Sequence, residues 1–490
     1  MERRDVDVVV IGAGTAGLSA QRAARKAGAS ALLVDRGPLG TTCARVGCMP
    51  SKLLIAAAHA AHAVHAAPSF GVRTQPPHVD GPAVLERVRR ERDRFVSFVL
   101  DDCRALEERG DLLRGAARLI AADTLQVDEH TLVKFRALVV ATGSSPTVPA
   151  ALQRLGAQVV TTDAVFELPD LPSSVLVVGT GAIGLELGQA LHRLGVCTTV
   201  LGRSDTIGPL RDPAVSAAAR DAFAGELELH LNCKITAAQA GSDGVTVTYE
   251  HDGHTRTGTW ARVLVAAGRR PNLRGLGLEL AGVMLDEEGG VLQLEASTLQ
   301  VGATPVFVAG DASGLRPLLH EAADEGHIAG ANAAGFPGGV EAQPRRTRLS
   351  VVFTDPGLAV VGCGAHGTSA ASHAVGEVDW TRQGRARVIG KNVGRTRIWA
   401  TRDDGVLRAA ELAGPGAEHM AHLLAWAVQQ GLTVDAALRM PFYHPVLEEG
   451  LRTALQGVRA DLQRGAGEAA PKLGAPPSPR AGEQLGETKA

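Results

Sequence analysis

The pattern Val-Val-Val-Ile-Gly-Ala-Gly-Thr-Ala-Gly at 8–17 returns as Val-Leu-Val-Val-Gly-Thr-Gly-Ala-Ile-Gly at 175–184, and this internal duplication limits the folds open to the chain. Each copy is an apolar strand running into a glycine-rich turn and then into an alanine- or leucine-rich amphipathic stretch, the signature of a dinucleotide-binding βαβ unit. Each also closes alike, on a strand and small residues at Leu138–Gly143 in the first and at Val263–Gly268 in the second. Two nucleotide-binding halves are therefore expected. The fold class expected is α/β, two Rossmann-like dinucleotide-binding domains followed by an α+β C-terminal domain.

The rest of the chain divides around these copies. A third strand, Val306–Ala309, ends in Gly310-Asp311 and is followed by a helical pattern at His320–Ala334, which reads as a return to the first domain. Beyond Pro344 β-rich runs appear at Leu349–Phe353, Leu358–Val361 and Thr396–Ala400, then helical patterns around His419–Gln430 and Val446–Leu462. The expected division is 1–150 for the first part of one nucleotide domain, 151–270 for the second, 271–343 for the return and 344–462 for a separate C-terminal domain. Gly, Ala, Pro and Ser dominate 463–490 without periodicity, and a disordered tail is expected there.

Charge narrows the partners: 50 Lys and Arg against 52 Asp and Glu give no strong field, so neither nucleic acid nor an anionic membrane is expected. The N-terminus has no apolar run of signal-peptide length and the chain has no stretch long enough for a membrane helix, which points to the cytoplasm. Six cysteines are too sparse for a secreted disulfide framework.

Gly12-x-Gly14-x-x-Gly17 opens a helix at whose N-terminus a pyrophosphate can approach the backbone, and Asp35, at the end of the next strand, is placed for a ribose hydroxyl. In the second copy, Gly179-x-Gly181-x-x-Gly184, the ribose-acid position is read as Leu201, followed by Gly202 and Arg203. Loss of the acid beside an arginine favours the 2′-phosphate of NADP; the alternative is that Arg203 and Arg211 are solvated loop charges and either coenzyme is accepted.

Cys43-Ala-Arg-Val-Gly-Cys48-Met-Pro-Ser-Lys52 precedes an alanine-rich helix, with Pro50 in the expected first turn. At that N-terminus the helix dipole and Lys52 would stabilise a Cys48 thiolate. A disulfide across so short a loop adds little as a staple, and a zinc site would need two further ligands that are not nearby, so redox chemistry is the reading and no metal is expected. Cys103, Cys197, Cys233 and Cys363 stand alone and are read as packing residues. His444-Pro445, five residues before Glu449, can be a proton shuttle with its orienting acid, or merely a turn beside a surface acid; spacing alone leaves both open.

In order, the first glycine motif, Thr42-Cys43-x4-Cys48-x-Pro-Ser-Lys52, Ala-Thr-Gly-Ser (141–144), the second glycine motif, Gly-Arg-Arg-Pro-Asn (268–272), Gly310-Asp311, Phe-Thr-Asp-Pro-Gly (353–357) and His444-Pro-x3-Glu449 resemble the class I pyridine nucleotide-disulfide oxidoreductases over about 6–460. The dihydrolipoyl dehydrogenase branch is the nearest. The resemblance implies FAD on Gly12, Gly14, Gly17, Asp35, Thr42, Lys52, Gly115, Thr142, Gly143 and Asp311. It implies NAD or NADP on Gly179, Gly181, Gly184, Glu186, Arg203 and Gly268, with Lys52 paired to Glu186. Cys48 would face the flavin as the charge-transfer thiol and Cys43 would exchange with substrate. His444 and Glu449 would come from the other subunit of a homodimer.

Departures from the family pattern keep rivals in view. Val-Leu-Gly-Arg (200–203) is more like the NADPH-using mercuric reductase branch, yet the paired C-terminal cysteines of that branch are missing. The expected activity is oxidation of dihydrolipoamide, a small-molecule or protein-bound dithiol, through the Cys43–Cys48 disulfide and FAD to NAD(P)+. An NADPH-dependent reductase of a low-molecular-weight disulfide is second, and mercuric reductase is less favoured. A redox-silent flavoprotein subunit of a larger complex is the reading from outside enzymology, and the intact Cys43, Cys48, His444 and Glu449 argue against it.

Overall fold

The computed structural model describes residues 1–464; the expected tail at 465–490 lies outside the described residues. The first unit is β1 (Glu2–Ile11), α1 (Thr15–Lys26), β2 (Ala31–Asp35), α2 (Thr42–Val46), α3 (Cys48–Ala66), α4 (Gly81–Glu108), β3 (Leu112–Arg114), β4 (Ala117–Ala121), β5 (Thr124–Val127), β6 (Thr131–Val140) and β7 (Ser144–Pro146). The order β3-β2-β1-β6 is parallel, and β5 and β4 continue the sheet as an antiparallel flap. Val8, Val9 and Val10 are fully buried in β1, as a parallel strand covered on both faces requires, and each contributes about 1.5–3 kcal/mol by burial.

The second unit repeats the scheme: β8 (Val159–Thr161), β9 (Ser174–Val178), α5 (Ala182–Arg193), β10 (Cys197–Leu201), α6 (Pro213–Ala224), β11 (Glu228–His230), β12 (Lys234–Gly241), β13 (Gly244–His251), β14 (His254–Trp260), β15 (Arg262–Val265) and β16 (Arg269–Pro271). Its parallel sheet runs β11-β10-β9-β15-β8, and β12-β13-β14 form a separate antiparallel sheet. The ribbon β7–β16 joins the two units. β17 (Val306–Val308) then pairs parallel with β6, and α7 (Leu319–Gly335) lies against α1, so the chain does return to the first sheet.

The C-terminal unit is β18 (Leu349–Val352), β19 (Gly357–Gly362), β20 (His373–Asp379), α8 (Gly384–Val388), β21 (Arg395–Thr401), β22 (Leu407–Gly414), α9 (Ala417–Gln429), α10 (Val434–Leu438) and α11 (Glu449–Arg464). Its antiparallel sheet, order β18-β19-β22-β21-β20, packs on α9 and α11 around Trp380, Met420, Leu451 and Val458. Among the described residues no helix is long and apolar enough to cross a membrane. Cys103 and Cys233 are buried as expected, but Cys197 and Cys363 are exposed, which corrects their reading as packing residues. Cys197 opens β10 and Cys363 follows β19, and both positions face outward at strand ends.

Candidate active site

Two short steps in the chain create the cysteine pair. Thr41 caps α2, its hydroxyl accepting from the Ala44 N–H at 3.2 Å, and Gly47 then turns the backbone so that α3 starts at Cys48. A side chain at 47 would come within 3.0 Å of the Thr42 carbonyl, so glycine is what lets the two helices meet. Both sulfurs are free thiols. The Cys43 thiol donates to Cys48 and holds the Cys48 thiol down at about 7, with the Lys52 charge adding to the effect and desolvation opposing it. Cys48 is open to solvent on one side yet crowded enough by the chain for that desolvation to act. The Cys43 thiol is pushed up, first by that same hydrogen bond and then by burial. The pair is therefore asymmetric, with one sulfur set to be a thiolate and the other a thiol.

One turn on, Lys52 Nζ lies 2.8 Å from Glu186 Oε2, an acid on α5 whose side chain is 6% exposed. The other oxygen, Glu186 Oε1, accepts from the Phe353 N–H at 2.9 Å, and the Lys52 ammonium stands 4.5 Å from the centre of the Phe353 ring. A nearly buried carboxylate needs such partners, and Lys52 gains a cation–π contact on its apolar side. The ion pair ties all three units together beside the cysteines.

Gly14 and Gly181 are the N-cap residues of α1 and α5, and neither helix start is capped by a side chain. A side chain added at either glycine would meet nothing within 4 Å, so both helix N-termini present free N–H groups to open space, as a pyrophosphate requires. At Gly17 and Gly184 a Cβ would fall 1.7 and 2.0 Å from the carbonyl oxygens of Gly12 and Gly179, which packs each helix hard onto its turn. Asp35 accepts from Ala13 N–H at 2.6 Å and Gly37 N–H at 2.5 Å, so its carboxylate is drawn onto the glycine turn itself; each oxygen keeps a further lone pair.

Strand register corrects one reading. Ile11 pairs with Val34 before Gly12, and Val178 pairs with Leu201 before Gly179. Leu201 is therefore the counterpart of Val34, buried at 2% exposure, and the counterpart of Asp35 is Gly202. A Cβ at 202 would meet Leu231 Cδ2 at 2.8 Å and the Thr180 side chain at 2.9 Å, so an acid there would have to displace both side chains. Arg203 follows, exposed and with no side-chain partner among the described residues.

Asp311 follows β17 and accepts from Ser144 Oγ at 2.7 Å. Thr142 donates its hydroxyl to the Asn272 carbonyl at 2.7 Å, and the Asn272 N–H donates to the Gly143 carbonyl. Gly143 has open space where a side chain would stand. Gly115 closes against Asp35, donating to its carbonyl at 3.0 Å, and Gly268 accepts from the Thr147 N–H. Thr42 is the exposed first residue of α2. A cleft of about 610 Å³ is lined by Arg36, Ser145, Gln153, Arg270, Asn272 and Arg274. Uncapped helix N-termini, an open glycine cradle and an arginine-lined cleft fit two dinucleotides.

His444 and Glu449 are joined at 3.1 and 3.2 Å through Nδ1, and the Val446 N–H also donates to Glu449. The hydrogen bond to His444 holds the Glu449 carboxyl below its usual range. This fixes Nδ1 toward the acid and turns Nε2 outward. The His444 side chain is 80% exposed, and among the described residues no hydrogen bond joins it to Cys43 or Cys48.

A family model described as pyridine nucleotide-disulphide oxidoreductase matches residues 6–326, and the dimerisation domain of the same family matches 349–455. The chain belongs to this family. Dihydrolipoyl dehydrogenase of Thermus scotoductus is 31% identical over 92% of this chain and 97% of its own length. Mercuric reductase of Streptomyces lividans is likewise 31% identical, over 94% and 97%. Among solved structures LpdA from Mycobacterium tuberculosis superposes with a TM-score of 0.77 at 25% identity, covering 93% of this chain and 99% of that one.

As a pyridine nucleotide-disulphide oxidoreductase, the chain is an FAD-dependent enzyme acting on sulfur groups with a pyridine nucleotide, and its dimerisation domain makes it a homodimer. The domain exposes Leu423, Trp426, Met440 and Tyr443. Sequence reasoning missed three groups that the fold brings to the site: Phe353 against Lys52, and Ser144 and Arg269 beneath Asp311. All three lie in motifs the sequence shows, but nothing linear pairs residue 144 with 269 or 311.

Proposed function

We propose that this oxidoreductase oxidises dihydrolipoamide, small or protein-borne, and that the Cys43–Cys48 pair carries the exchange. The observation that carries the reading is the asymmetry of the pair, a Cys48 thiol held at about 7 beside a Cys43 thiol held high. In the oxidised enzyme, one thiol of the substrate loses its proton to His444 of the partner subunit and attacks Cys43 Sγ. The S–S bond to Cys48 breaks, leaving a Cys48 thiolate, and the second substrate thiol then displaces Cys43 and closes the substrate disulfide. Glu449 holds the tautomer of His444 throughout. The first glycine turn, Asp35, Lys52, Gly143 and Asp311 would hold FAD, which would supply two-electron chemistry between Cys48 and a nicotinamide that the Gly179–Glu186 segment would bind.

For the coenzyme we infer NADP, supported by Gly202 in place of an acid and by Arg203 beside it. That same feature favours a second reading, an NADPH-driven reductase of a low-molecular-weight disulfide. The cytoplasm is the proposed compartment, supported by six sparse cysteines that make no secreted disulfide framework. Oxidation of dihydrolipoamide by the FAD-loaded protein, with NAD+ and NADP+ side by side and Cys48→Ser as control, tests the proposal. Turnover with NADP+ that vanishes in the control supports it. Turnover with NAD+ alone removes the coenzyme assignment, and no turnover with either coenzyme but NADPH-driven bleaching of the flavin moves the substrate to another disulfide.

A further inference from the structure

Ser144 and Asp311 sit at the end of a chain of hydrogen bonds that crosses from one nucleotide unit to the other. Asp163, between β8 and β9, accepts from Arg269 Nη1 at 2.8 Å. Arg269, the first residue of β16, donates through Nε to Ser144 Oγ at 2.8 Å and through Nη2 to the Ser144 carbonyl at 2.8 Å. Ser144 Oγ donates in turn to Asp311 Oδ2 at 2.7 Å. The direction is forced: a guanidinium can only donate, so the serine oxygen accepts from Arg269, and its one proton is left for the carboxylate. Arg269 is 19% exposed and Asp163 33%, so the chain runs through a part of the molecule where such bonds reinforce one another.

We propose that Arg269 is a positioning residue for the flavin: through Ser144 it orients the Asp311 carboxylate, spending Oδ2 on the relay and leaving Oδ1 to accept from a hydroxyl of FAD. The other end of the relay, Asp163, makes the seating of the pyridine-nucleotide unit part of the same network. The inference rests on the reading of Asp311 as a flavin-binding acid.

FAD affinity of the deflavinated chain, followed by quenching of free flavin fluorescence, tests it. Asp311→Asn first checks the underlying reading: unchanged affinity there refutes Asp311 as the flavin acid. With that established, Ser144→Ala and Arg269→Gln are each expected to weaken FAD binding about tenfold, the loss of one charge-assisted hydrogen bond in the path. The double variant Ser144→Ala/Arg269→Gln is expected to be no weaker than the worse single, because both changes cut one path. Arg269→Lys, which keeps the charge but not the fork, is expected to recover part of the affinity while melting like the other variants. Additive losses in the double variant, or full affinity in Arg269→Gln, overturn the relay.

Discussion

The thiol of Cys48 is drawn from an ordinary 9.0 to about 7, chiefly by the hydrogen bond from Cys43. A lowered thiol pKa means that the thiolate is populated above about pH 7 and lost as pH falls through that value. Alkylation of Cys48 by iodoacetamide in the reduced protein is therefore expected to rise through a midpoint near 7. Cys43→Ala removes the donor and should move the midpoint toward 9; an unchanged midpoint would show that Lys52 and the helix start do the work alone. Gly202 makes a second single-residue prediction. Gly202→Glu should not convert the coenzyme preference to NAD, since the new side chain meets Leu231 and a Thr180 hydroxyl already bonded to the Thr206 carbonyl. The overpacked variant should lose about 1–3 kcal/mol in thermal melts, and a clean switch to NAD in the kcat/KM ratio would refute the steric argument.

Between elements, a few buried side chains set how the units meet. On α5, Glu186, Gln189 and Arg193 lie on one face and reach the 353–355 turn before β19, where Gln189 accepts from the Asp355 N–H and Arg193 pairs with Asp355. On β22 the fully buried Glu411 accepts from the N–H groups of Arg211 and Asp212 at the start of α6 and from Ala365. Glu411→Ala strands three backbone donors and is expected to cost roughly 3 kcal/mol, read as a lowered melting temperature; a melt within a degree of the parent would show water replacing the carboxylate. The strands and helices themselves were largely legible: Val306–Ala309 is seen as Val306–Val308, His320–Ala334 as Leu319–Gly335, and Val446–Leu462 as Glu449–Arg464. The insertion β12–β14 was not read, although Val245, Val247 and Tyr249 alternate with Thr246 and Thr248 in β13 and are buried; its outer strands β12 and β14 are mostly exposed and carry no such period.

The proposed mechanism divides its chemistry between copies, with His444–Glu449 exposed on a domain of the dimerisation type and the cysteines on α2 and α3. If each site draws on both subunits, His444→Gln and Cys43→Ser homodimers are both inactive, while mixing refolded chains restores about a quarter of the parental activity. Half of the dimers are then mixed and one of their two sites is whole. A mixture as inactive as its components would place His444 with the cysteines of its own chain.

Local order in the chain determined the two glycine turns and the Cys43–Cys48 spacing at a helix start, because each depends on residues within a few turns of one another, and the repeat of the glycine turn marked the two nucleotide units. Tertiary structure decided that a side chain at 202 meets Leu231 and Thr180, although the equal spacing of Asp35 from Gly12 and of Gly202 from Gly179 already stood in the sequence. It also decided that Phe353 caps Lys52, and that Arg269 reaches Asp311 through Ser144. These contacts join positions more than a hundred residues apart, and only the packing of the three units against one another brings them together.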